Sequence, residues 1–173
     1  YAGYEICLLL SLNRTAVESR MDIFYHGTSV LFDKFDRSHA LDGDGKVKFG
    51  YGVYVTQKHE TAIHYSGCGR GKHAGKHYVY TVEVPAMTDD NHLWSAKQVN
   101  TAIVERAAEK RGEAIPVEVC EKGKLFRKYI GNRLMGATGT WKKLSAKADL
   151  EAEKAASAFL VSIGVEMLVW PYA

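Results

Sequence analysis

The sequence predicts an α+β fold with a partly antiparallel sheet, and three observations predict it. Residues Tyr78 to Val84 alternate, with Val79, Thr81 and Glu83 against Tyr80, Val82 and Val84, the period of a half-buried strand. Val99, Ala102, Ile103 and Ala107 recur at helical spacing and give one apolar face. Strand-like and helix-like segments do not alternate regularly, as a doubly wound parallel sheet would require.

Ile23 to His26 is β-branched and aromatic and reads as a short strand. Leu31 to Asp36 follows as a turn with apolar anchors, and Asp42-Gly43-Asp44-Gly45 as a loop. Tyr51 to Thr56 is a second strand, whose Gly50 and Gly52 suggest close approach of its backbone to something else. Lys58 to Ser66 reads as a short helix. Gly67 to His77 is a Gly-rich, basic loop, and Pro85 is expected to end the strand beginning at Tyr78.

A helix is expected from Ser95, with Ser95-x-x-Gln98 as a capping box and Gly112 as its stop. Leu125, Phe126, Tyr129 and Ile130 mark a second helix. Leu150, Ala156, Phe159, Leu160 and Ile163 mark a third, ending at Gly164. Val165 to Trp170 is a final strand, broken by Pro171.

At 173 residues the chain suits one domain with a sizeable core. A net charge of +3 permits nucleic acid as a partner without requiring it. The three cysteines are odd in number and show no CxxC spacing, which signals neither a disulfide framework nor a zinc site. A reducing, cytoplasmic compartment is the default. Ile6 to Leu10 is apolar but far too short to span a bilayer, so no membrane partner is expected. Met21 lies just before the first expected strand. Residues 1–20 are therefore expected to be a non-native or upstream extension, with a native N-terminal helix or strand as the alternative, and the domain to occupy 21–173.

Three segments concentrate chemistry: Tyr25-His26-Gly27-Thr28-Ser29, then Gly50-Tyr51-Gly52-Val53-Tyr54, then Ala62-Ile63-His64-Tyr65. A carboxamide offers one acceptor and two donors, so a backbone N–H and C=O pair can read it. Only a residue without a side chain lets it come that close. A pyridinium ring gains about 0.5–2 kcal/mol from each aromatic face stacked on it. Singly, each motif also fits an ordinary strand end or a core tyrosine.

In this order the segments resemble the nicotinamide pocket of ADP-ribosyltransferases of the His-Tyr-Glu class. That class is shared by diphtheria toxin, poly(ADP-ribose) polymerases and small phage and bacterial transferases. The resemblance covers Ile23 to Tyr65 with specific motifs and the remainder by element order. It implies a split β-sandwich with peripheral helices and NAD as co-substrate. It also implies transfer of ADP-ribose to a protein or nucleic-acid acceptor, with nicotinamide released.

It further implies that His26 bonds the ribose and Gly27 the carboxamide, with Thr28 and Gly52 beside them. Tyr54 and Tyr65 would sandwich the ring. His26 and Tyr54 are the catalytic expectations. Ala62 stands where polymerases carry a Ser, a departure from a close polymerase relative. The toxin-like setting adds an antitoxin or inhibitor as a partner to expect. An NAD glycohydrolase with the same pocket, or a non-catalytic NAD- or nucleic-acid-binding module, are the alternatives.

The class carries its Glu on a strand near the C-terminus, after a helix and strand like Phe159 to Gly164 and Val165 to Pro171. The sequence ends at Ala173 with no such motif. The expectations are a domain truncated at its C-terminus, a member lacking the Glu, or another acid, with Glu166 and Glu83 as candidates.

Arg70, Lys72 and Lys76 are candidates to meet a pyrophosphate or an anionic acceptor. A second basic stretch runs through Lys122, Lys124, Arg127, Lys128, Arg133, Lys142, Lys143 and Lys147. Its Phe126, Tyr129 and Trp141 are placed either to stack on bases or to fill the core. Neither a P-loop, a nucleophile elbow nor a zinc-protease pattern is present.

Overall fold

The fold is built on a strand that local sequence does not announce. In a computed structural model, Tyr4–Leu8 forms β1, and its Ile6, Cys7 and Leu8 are buried. The structure describes residues 3–9, 20–35, 49–68, 75–138 and 146–172. β1 lies inside a six-stranded sheet, between the strands β3 (Val53–Thr56) and β6 (Met167–Pro171). It pairs antiparallel with both. The other strands are β2 (Met21–Thr28), β4 (Tyr78–Pro85) and β5 (His92–Trp94), and the sheet order is β4-β2-β3-β1-β6-β5. Among the described strands, β5 and β6 alone run parallel. Residues Tyr4 to Leu8, within the segment expected to be an extension, thus form an internal strand.

Alternation gives the sheet two faces. One carries Cys7, Leu93, Leu168 and Trp170. Against it pack the helices α2 (Thr101–Arg111), α3 (Val117–Cys120), α4 (Gly123–Leu134) and α5 (Ala146–Ser162). The short helix α1 (His59–Tyr65) packs on β2 and also touches β3 and β4. The opposite face carries Ile6, Leu8, Phe24, Val55, Val82, Val84, Met167 and Val169, joined by Tyr4, Phe35, Tyr80 and Trp94.

The mixed α+β class and the largely antiparallel sheet match the sequence expectation. Several bounds differ. The helix expected from Ser95 begins at Thr101. The backbone N–H of Ser95 is taken by Val169 of β6, which ties that segment to the sheet. Asn100 caps the helix instead, its side chain accepting from the N–H of Ala102 at 2.8 Å. Gly112 ends it with φ +67°. Pro85 and Pro171 are the last residues of their strands, where a missing N–H costs least. The expected loop over 42–45 lies outside the described residues.

Candidate functional site

β2 and β4 pair along the full length of β2, whereas β2 and β3 pair only at Tyr25↔Thr56. Beyond Tyr25 the two strands part, and the His-Gly-Thr segment borders the parting. His26 bridges it: its Nδ1 lies 2.7 Å from the carbonyl oxygen of Tyr54. A carbonyl only accepts, so Nδ1 carries the proton and donates. Burial holds the His26 pKa below the ordinary histidine value, with the Tyr54 bond opposing the shift. At neutral pH the ring is therefore uncharged and Nε2 is a bare acceptor.

The His26 ring is walled by Phe32 and Phe35, at centroid distances of 6.2 and 5.3 Å. Phe32 stacks on Tyr80 at 4.4 Å. The Tyr80 hydroxyl accepts from the Phe32 N–H and donates to the Phe32 carbonyl.

Gly27 is packed tightly against α1. A Cβ there would lie 1.7 Å from the carbonyl oxygen of Ala62, so the absent side chain admits the backbone of α1. Ala62 is fully buried at this contact, and Tyr65, one turn further on, is 57% exposed. Gly52 likewise admits β1, since a Cβ there would lie 2.2 Å from the Leu8 carbonyl oxygen. The Thr28 hydroxyl accepts from the N–H of Val30 and shapes the turn after β2.

Tyr54 lies on the helical face, level with Cys7. Its hydroxyl donates to the carbonyl of Gly50 at 2.8 Å and accepts from the N–H of Phe49 at 3.1 Å. Burial raises its pKa far above the ordinary tyrosine value, which keeps it a donor. Burial also pushes the Cys7 thiol up to about 12, so that sulfur is no nucleophile at neutral pH.

The structure therefore brings the three motif segments together, with α1 on Gly27 and His26 bonded to the Tyr54 backbone. The side chains of His26 and Tyr54 lie on opposite faces of the sheet, as the register of Tyr25 with Thr56 requires. Tyr54 leans on Trp170 at 5.5 Å, and Tyr65 neighbours His64 at 6.1 Å.

One acid was not legible in the sequence. Glu5 stands directly across from Thr56 on one side and Trp170 on the other. It shares the face of Tyr54, two strand positions away. The residue is only 8% exposed, and its carboxylate accepts from the Trp170 indole N–H at 2.7 Å. Its signal is a lone charge at the edge of the apolar run that follows it. The two acids considered from sequence sit elsewhere. Glu83 is exposed on the edge strand β4, and Glu166 precedes β6, four residues and about 13 Å of strand from Trp170.

Much of the second basic stretch is consumed internally. Arg127 is buried on Glu153, Lys128 pairs with Asp149 and Glu153, and Arg133 pairs with Glu113. Phe126 and Tyr129 are core residues, while Lys122 and Lys124 are exposed. Lys76 is exposed, just before β4. Arg70, Lys72, Trp141, Lys142 and Lys143 lie outside the described residues, as does the side chain of Lys147. Among the described residues no group of His, Cys, Asp and Glu is arranged to hold a metal ion. No helix among them is long and apolar enough to cross a membrane. No family model, curated protein or solved structure matches this chain.

Proposed function

We propose that the protein is an NAD-dependent ADP-ribosyltransferase, built around the parting of β2 and β3. One observation carries this: three motifs spread from His26 to Tyr65 converge in space, with α1 seated on Gly27 and His26 bonded to the backbone of Tyr54.

The donor set fits the ligand. His26 Nε2 is an acceptor at neutral pH and suits a ribose hydroxyl. The backbone of Gly27 and Thr28 borders the parted strands and suits the carboxamide. Tyr65, exposed at the end of α1, offers an aromatic face to the pyridinium. Tyr54, fixed through its hydroxyl, forms the wall on the helical face.

In the reaction the bond between the nicotinamide nitrogen and the ribose C1′ breaks, and nicotinamide leaves with the electron pair. The acceptor atom bonds C1′ and its proton passes to a base. Positive charge builds on the ribose in the transition state, and a carboxylate beside it would stabilise that charge. Glu5 lies on the face opposite His26 and does not reach a ribose bonded to His26 Nε2. The indole N–H of Trp170 orients the Glu5 side chain on the face shared with Tyr54.

Calorimetry with NAD tests the pocket. His26→Ala and Tyr65→Ala are each expected to weaken binding by about 10-fold, the loss of one hydrogen bond or one stacked face. Unchanged affinity in both variants would overturn the proposal.

A further inference from the structure

We propose that the buried Arg127–Glu153 pair is a positioning device, which fixes the turn before β3 and through it Tyr54 and Glu5; this rests on the pocket proposed above. Arg127 on α4 is 2% exposed and the largest fully buried side chain among the described residues. Its Nε lies 3.0 Å from Oε2 of Glu153 on α5, whose side chain is 3% exposed. Its other arm leaves the helices: Nη1 donates to the carbonyl oxygen of Phe49 at 2.7 Å.

The turn from Phe49 to Tyr51 is held at every residue. Ser157 on α5, fully buried, accepts from the N–H of Tyr51 at 3.2 Å. Gly50 has φ +127°, and a Cβ there would lie 2.2 Å from Leu168 Cδ1, so only glycine fits. The Phe49 N–H and the Gly50 carbonyl are the two partners of the Tyr54 hydroxyl. The Phe49 ring stacks on Trp170 at 4.2 Å and 7°, and Trp170 in turn bonds Glu5.

A chain of contacts thus runs from the guanidinium to Phe49, and from Phe49 both to Tyr54 and, through Trp170, to Glu5. A buried ion pair is a weak source of stability, because an apolar pair of similar volume does as well or better. A forked, planar donor fixed on one side and aimed at a backbone carbonyl on the other is a good source of position. Lys128 supports the assembly from the rim, bridging Asp149 and Glu153.

The test separates position from stability. Arg127→Met combined with Glu153→Leu removes both charges and keeps the volume. This double variant is expected to melt within a few degrees of the parent, whereas Arg127→Met alone strands Glu153 and lowers the melting temperature by about 10 °C. In the double variant the Phe49 and Tyr51 amides, followed by NMR, are expected to exchange at least about 10-fold faster. Turnover of NAD falls about 10- to 100-fold. Arg127→Lys, which keeps the charge beside Glu153 but lacks the second arm, is expected to show the same loss of protection.

Parent-like protection of both amides in the double variant or in Arg127→Lys overturns the positioning role. Exchange requires no NAD, so this result stands apart from any failure of the parent protein to bind the dinucleotide.

Discussion

Adding one methyl group at Gly27 probes the seat of α1. A Cβ at this residue would lie 1.7 Å from the Ala62 carbonyl oxygen, 2.6 Å from its carbon and 2.9 Å from the Ser66 nitrogen. All three obstacles are backbone, so no side chain can rotate away. α1 must move by more than about 1 Å, and it carries both Ala62 and Tyr65. Overpacking of this kind costs about 1–3 kcal/mol. In a domain of this size that lowers the melting temperature by about 2–12 °C. A 1 Å displacement of the groups that meet a ligand costs up to about 100-fold in catalytic efficiency. Gly27→Ala is therefore expected to melt lower in calorimetry and to bind NAD at least about 10-fold more weakly. Gly75→Ala, which has nothing within 4 Å of the added carbon, should change neither. A Gly27→Ala protein with parental melting and parental NAD affinity would refute the placement of α1 on β2.

Three further expectations follow from burial and charge. A chain beginning at Met21 loses Ile6, Cys7, Leu8 and Leu9, each at most 4% exposed, and both ladders of β1. At about 1.5–3 kcal/mol per large apolar side chain the loss rivals the whole stability of a domain, so circular dichroism should show an unfolded chain. Bonds from Arg133 and Arg111 lower the Glu113 carboxyl to about 2. Its stabilisation is present above the unfolded value near about 4.3 and is lost as pH falls toward 2. The melting temperatures of the parent and Glu113→Gln should therefore differ near pH 6 and converge in acid. The depressed His26 pKa makes Nε2 an acceptor throughout the neutral range. NAD affinity should be flat above pH 6.5 and weaken only in more acidic solution, as isothermal titration across pH will show.

The sequence carried the elements that local rules specify. The alternation from Tyr78 to Val84 is β4, and the periodicity through Val99, Ala102, Ile103 and Ala107 belongs to α2. Gly112 and Gly164 adopt the left-handed φ that a helix stop favours. What failed was tertiary. Ser95-x-x-Gln98 matches a capping box, yet Ser95 is hydrogen-bonded to β6, 74 residues on, and Asn100 takes the cap. β5 spans three residues, too few for a period to show. The apolar run after Glu5 has no period that separates strand from helix, and its central place depends on partners at residues 53–56 and 167–171.

The site divided in the same way. His26, Gly27 and Tyr54 were legible as motifs because their order along the chain is informative. The use of Gly27 and Gly52 as seats for α1 and β1 was not, since nothing local distinguishes a ligand from a neighbouring backbone. The burial of Glu5 beside Trp170 was not legible either, because its relation to Thr56 and Trp170 exists only across strands.

The central claim, that these residues break the nicotinamide–ribose bond of NAD, is tested most directly with labelled NAD and a cell lysate. The parent and His26→Ala are compared for nicotinamide release and for label on protease- or nuclease-sensitive material. The account predicts release and labelled macromolecule with the parent, and a loss of at least about 10-fold of both in His26→Ala. Release of free ADP-ribose without labelled macromolecule would make the protein a glycohydrolase using the same pocket. A parent that neither binds NAD nor releases nicotinamide would contradict the account.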